Sequence, residues 1–221
     1  MPKRVNHGLR REDIAKAAFR VIQRKGVANA TIRDIAAEAG SSPGAVLHYI
    51  TSKDHIFLQA AEYSTLVIRG RMEAVERDYH GLEALRRIVD EALPVTAEML
   101  GHWKIWLGFW NLSGDSELIR AAIHDRYDES FRRFGRLLRA AQALGEISPS
   151  LNIADAAAAL VCQIDGIGVN VLISGRPLSS KKIRRQIDQW IESVLVKGTA
   201  KPEPANLIVF PIPPSGARQS F

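Results

Sequence analysis

Apolar positions recur along this chain at intervals of three and four residues, and strand-like alternation is almost absent, a pattern that predicts an all-α protein. Arg11 to Lys25 reads as a helix with Ile14, Ala17, Ala18, Val21 and Ile22 on one face, stopped by Gly26. Thr31 opens a short helix whose core face is Ile32, Ile35 and Ala36. Thr31 and Asp34 stand at the spacing of a capping box, in which each side chain accepts from the other's backbone N–H. Gly40 closes that helix. Ser41 and Ser42 offer caps for the next, which runs to about Tyr49, and Pro43 is tolerated in its first turn.

Ser52 caps a long helix reaching about Tyr79, with Ile56, Phe57, Ala60, Tyr63 and Val67 inward. Further helices are predicted at roughly 82–100, 102–112, 116–144, 153–174 and 179–197, about nine in all, and Pro94 should kink or interrupt the first of these. The proline-rich residues 198–221 read as a tail or extended strap. The expected organisation is a helix-turn-helix head over 1–53, a helical body over 54–197 and that tail.

Charge sharpens the division. The net formal charge is +6; residues 1–53 hold ten Lys/Arg against four Asp/Glu, whereas 54–221 hold twenty of each. A basic head on a neutral body is the footprint expected of a nucleic-acid binder, although a solvated basic arm has the same composition. Cys162 is the only cysteine, so no intramolecular disulfide is possible and a reducing cytoplasm fits. It reads as a small buried apolar residue. Met1 to Arg11 has no apolar run and does not read as a signal peptide. Ala154 to Ile173 is apolar but carries Asp155, Gln163, Asp165 and Asn170, so it reads as a buried helix and no membrane partner is expected. No metal-ligand spacing, phosphate loop or nucleophile elbow is present, and the six histidines are scattered; neither a cofactor nor an enzymatic activity is expected.

A helix entering the major groove must expose small or polar residues and surround them with phosphate donors. Ser42, Pro43, Ala45, Leu47 and His48 are the outward candidates, and Gly44 allows close backbone approach. Thr31, Tyr49 and Lys53 suit phosphates, and Arg33 a phosphate or a base edge. The stretch Thr31-Ile-Arg-Asp-Ile-Ala-Ala-Glu-Ala-Gly-Ser-Ser-Pro-Gly-Ala-Val-Leu-His-Tyr-Ile-Thr-Ser-Lys53 resembles the DNA-binding domain of the tetracycline-repressor (TetR) family, and the likeness extends over about residues 8–68. Ser41, where an aliphatic residue usually packs, and Ile50, where Phe usually follows the tyrosine, depart from that pattern. The resemblance implies a homodimer on a palindromic double-stranded DNA operator, released when a small-molecule effector binds the body.

In the body, Trp103, Trp106 and Trp110 fall on one predicted helical face beside Phe109, and Tyr127, Phe131 and Phe134 repeat the pattern on another helix. Asp165 interrupts an apolar helix, where an unpartnered carboxylate is costly. Aromatic faces with one carboxylate suit a quaternary ammonium, each cation–π contact contributing roughly 0.5–2 kcal/mol. The same stripes also suit a plain core, with Asp165 bonded to a neighbouring donor. Trp106-Leu-Gly-Phe-Trp110, Arg126-Tyr127 and Leu160-Val-Cys-Gln-Ile-Asp-Gly-Ile-Gly168 resemble the choline-responsive BetI branch of the family, which implies a cationic effector held by Trp103, Trp106, Phe109, Trp110, Tyr127, Phe131 and Asp165. Ala156, Ala159, Ile183, Ile187, Trp190, Ile191 and Leu195 form the expected dimer surface, unless they only cover their own core.

Two other functions fit parts of the sequence. An architectural nucleic-acid binder would show steep salt dependence with little discrimination between sequences. A small-molecule binding module without DNA function would bind no operator even at low salt.

Overall fold

The computed structural model describes residues 7–26, 29–49, 52–112, 114, 116–173 and 179–196. Among the described residues nine α-helices follow one another: α1 (His7–Lys25), α2 (Ile32–Glu38), α3 (Pro43–Leu47), α4 (Lys53–Asp78), α5 (Gly81–Ala92), α6 (Ala97–Leu112), α7 (Glu117–Ala143), α8 (Ile153–Ile173) and α9 (Ser180–Trp190), the last continued by a π-helical turn, Ile191–Val196. No strand occurs among the described residues.

The local signals act where the sequence puts them. Thr31 and Asp34 make the reciprocal capping box at the start of α2. The Ser42 side chain accepts from the Ala45 N–H, with Pro43 in the first turn of α3. Ser52 accepts from the His55 N–H and starts α4. Gly26 and Gly40, at φ +76° and +58°, take the left-handed conformation that ends α1 and α2.

One expectation is corrected in the middle of the chain. The interruption expected at Pro94 divides residues 82–100, and the boundaries differ: α5 stops at Ala92, a bend carries Leu93 and Pro94, and α6 begins at Ala97 instead of 102. Proline lacks an N–H and forces the preceding residue, Leu93, into extended backbone (ψ 146°). Residues 198–221, the expected tail, lie outside the described residues, as does Ile50.

Two buried clusters organise the packing. The first joins Ile14, Val21 and Ile22 of α1, Ile35 of α2, Val46 of α3 and Phe57 of α4, and it also takes in Ile105, Trp106 and Phe109 of α6 and Ile119 of α7. The second gathers Leu85 and Ile88 of α5, Trp103 of α6, Leu138 of α7, Leu160, Ile164 and Ile167 of α8, Ile183 and Ile187 of α9, and Ile191 and Leu195 of the π turn. Helix α4 runs through both, so it is a rigid connection between the head and the body.

The second cluster corrects the expected dimer surface. Ala156, Ile183, Ile187, Ile191 and Leu195 are buried within their own protomer, because the apolar face of α9 is needed to cover α5 and α8. Ala159 and Trp190 alone of that set remain partly exposed. Cys162, expected to be buried, is exposed on α8. By length and composition α8 could cross a membrane, but it buries Ala157, Leu160, Val161, Ile164 and Ile167 against its neighbours.

Candidate DNA-reading head and effector site

Helix α3 is held by one residue. Val46 is fully buried, and around it Ser42, Pro43, Gly44, Leu47 and His48 are exposed while Ala45 and Tyr49 are half-buried. Leu47 is 53% exposed, an unusual position for a leucine in a folded head and one suited to an apolar contact with a thymine methyl. The His48 and Tyr49 rings stand edge to face at 5.3 Å. Thr31 and Arg33 are exposed at the start of α2. Lys53 opens α4, but its side chain lies outside the described ones.

Ion pairs lock α1 to α2. Arg24 donates to Glu38 at 2.6 Å, with Arg20 at 3.5 Å, and Lys25 donates to Asp34 at 2.6 Å. The Arg24 bond holds Glu38, and the Lys25 and Thr31 bonds hold Asp34, below the ordinary carboxylate range. The charge balance of the head thus overstates what it offers DNA, because several of its cations are committed internally. Among the described residues the Ser41 hydroxyl oxygen is buried without a partner, the local consequence of a serine standing where an aliphatic side chain would pack.

The expected single tryptophan face of α6 is split, which is a further correction. Trp103 and Trp110 face the body, their rings edge to face at 6.3 Å, and the Trp103 indole N–H donates to the Ala92 carbonyl at 2.8 Å. Trp106 and Phe109, rings 5.5 Å apart, belong to the first cluster with the head helices. Phe109 is fully buried there. The residues around α6 are apolar on nearly every side, so periodicity could not tell which neighbour each tryptophan meets.

Tyr127, Asp165 and Phe131 do come together. The Tyr127 hydroxyl donates to Asp165 Oδ2 at 2.6 Å, and its ring stacks on Phe131 at 6.0 Å. Burial pushes the Asp165 carboxyl up, opposed by the Tyr127 hydrogen bond and by Arg126. Burial, together with Asp165, also holds the Tyr127 hydroxyl protonated.

Arg126 was not among the expected site residues, yet it is central. Its guanidinium carbon lies 3.9 Å from the centroid of the Trp106 ring and 5.8 Å from that of Tyr127. Burial pulls its pKa down while Asp165 opposes that shift. The signal was present in sequence, as an arginine directly before the tyrosine that meets Asp165, but its partner could not be found without the turn between α6 and α7. No group of three or more His, Cys, Asp or Glu able to hold a metal occurs among the described residues.

Comparison with known proteins agrees with this architecture. Residues 14–60 match the family described as bacterial regulatory proteins, tetR family, and residues 81–196 match the BetI-type transcriptional repressor C-terminal domain. The HTH-type transcriptional regulator BetI of Stenotrophomonas maltophilia is 31% identical over 195 residues, covering 84% of this chain and 92% of its own. The regulator PksA of Bacillus subtilis is 28% identical over 200 residues, covering 90% and 96%. A transcriptional regulator from Saccharomonospora viridis, solved in complex with choline, superposes with a TM-score of 0.78 at 29% identity, covering 86% of this chain and 99% of its own. With its head and body both matched, the chain belongs to the TetR family of bacterial DNA-binding regulators, with a C-terminal domain of the BetI type.

Proposed function

We propose that this protein represses transcription in the cytoplasm as a homodimer, each protomer placing α3 in one half-site of a palindromic operator, and that it lets go when a small molecule bearing an ammonium group binds between α6, α7 and α8. The observation that carries the first part is the exposed face of α3, Ser42 to His48, pinned from beneath by Val46. A short helix anchored by one buried side chain presents the rest to a groove without further rearrangement. The effector reading rests on the pairing of Tyr127 with Asp165 among aromatic rings, and on the choline found in the Saccharomonospora viridis relative.

For the dimer, the outer side of α8 supports the contact better than the buried stripe of α9. Ala159, Cys162, Gly166 and Ile173 lie at helical intervals on it with at least partial exposure, and small residues there let helices approach closely. Trp190, partly exposed on α9, supplies an aromatic anchor beside them.

The reading is tested by selecting operators from random DNA with the full chain, then repeating the selection with His48→Ala and Lys53→Ala. The His48 variant should lose discrimination at one base position, whereas the Lys53 variant should bind every sequence more weakly by a similar factor. Binding without preference among sequences would favour an architectural role, and no DNA binding at low salt would leave only a small-molecule module.

A further inference from the structure

The effector site already contains a cation. In a cage built for a bare quaternary ammonium, the aromatic faces would stand open and the carboxylate would be the only charge nearby. Here the guanidinium of Arg126 covers the face of Trp106, and Asp165 supplies a balancing negative charge on the adjacent helix while accepting from Tyr127. Arg126 and Asp165 together bring no net charge, so a ligand that adds one leaves it uncompensated in a poorly solvated place.

The donors tell the same story. Among the described residues the Arg126 side chain makes no ion pair, and the indole N–H of Trp106, on a residue only 4% exposed, is buried with no acceptor. The buried indole N–H therefore lacks the oxygen it would normally bond, and it lies beside a guanidinium that no carboxylate pairs among the described residues. Asp165, which accepts from the Tyr127 hydroxyl, is the complementary acceptor.

From this arrangement we infer that the site selects a small zwitterion, an ammonium carboxylate, over a simple cation: the ligand's carboxylate meets Arg126 and the Trp106 N–H, and its ammonium lies toward Asp165, Tyr127 and Phe131. The inference rests on the effector reading above and specifies the chemistry of that same site. A bidentate guanidinium–carboxylate contact is strong and directional, and it adds no net charge to the site. A bare cation would have to displace Arg126 from Trp106 or share the space with it.

The test is isothermal titration of the full-length protein with glycine betaine, with choline, and with the uncharged choline isostere 3,3-dimethylbutan-1-ol. The zwitterion should bind about tenfold or more tightly than the other two, the discrimination expected of one charge-assisted contact. In Arg126→Gln that advantage should disappear while choline binding is kept or improved. Trp106→Phe, which removes the N–H together with part of the fused ring, should weaken glycine betaine by a clearly larger factor than choline, and it keeps the proposal testable if the arginine variant does not fold. Tighter binding of choline than of glycine betaine by the parent protein, or an unchanged preference in folded Arg126→Gln, would overturn the inference while leaving the effector site in place. No binding of any of the three would overturn both.

Discussion

At the scale of single residues, His102 is the most consequential titratable group outside the effector site. It is 1% exposed, its Nδ1 lies 2.7 Å from the Ser64 hydroxyl, and its ring packs on Phe19 of α1 at 4.7 Å. Burial lowers its pKa from 6.5 to about 4, with Glu98 opposing and Arg71 adding to the shift. In the unfolded chain the same imidazole protonates near 6.5, so between there and pH 4 the unfolded state binds a proton that the folded state excludes. Stability should therefore fall as the pH drops through that window, by at most about 3 kcal/mol from this group. Chemical denaturation at pH 7, 6, 5 and 4 should show the slope, and His102→Gln should flatten it. An equal slope in that variant would assign the acid sensitivity to other groups. Nothing in the sequence singles out His102 from its five fellow histidines. Its role depends on meeting Phe19 and Ser64, which lie far away along the chain, and such pairings leave no trace in local periodicity. Thr31, Ser42 and Ser52 were legible for the opposite reason, because a cap is a bond between residues three apart.

At the scale of elements, the crossing of α6 over α8 is set by a glycine. A side chain at Gly168 would place its first carbon 2.2 Å from Trp103, a distance real atoms do not reach, whereas nothing lies within 4 Å of the same position at Gly166. Trp103 cannot yield easily, since its indole N–H is bonded to Ala92. Gly168→Ala should destabilise the protein by about 1–3 kcal/mol through overpacking. Gly166→Ala, in an exposed helical position, should be neutral in thermal melting or stabilising by up to about 1 kcal/mol, unless it disturbs the dimer contact proposed for that face. Two melting curves that moved together would show that Trp103 has room to shift. The helices themselves could be read from the chain nearly to their ends, because each buries one periodic face. What could not be read was which neighbour each face meets. Helix α6 is apolar on most of its circumference, so its tryptophans looked like one surface and are in fact divided between two clusters. The stripe on α9 looked like an interface and covers its own body instead, since one apolar face serves either purpose.

At the scale of the whole molecule, the head and the body share a core, and this makes signalling between them physically reasonable. Ile105, Trp106 and Phe109 of α6, with Ile119 of α7, are buried among residues of α1, α2 and α4. Trp106 belongs to that cluster and carries Arg126 of the proposed effector site on its ring. Anything that moves Arg126 therefore acts on a side chain packed against the DNA-binding helices, and no long chain of intermediaries is required. Shared packing also means that the two regions should not melt independently. Phe109→Ala, at a fully buried position on α6, should cost about 3–5 kcal/mol. It should lower the thermal midpoint of the entire molecule in a single transition and reduce operator affinity at temperatures well below that midpoint, because the head loses the surface that fixes its angle. Calorimetry and operator titration of the variant separate the possibilities. If the head and the body unfolded in two separate steps, or if DNA affinity were untouched despite the lost stability, the shared cluster would be packing alone and the link from Arg126 to α3 would have to run through the long helix α4.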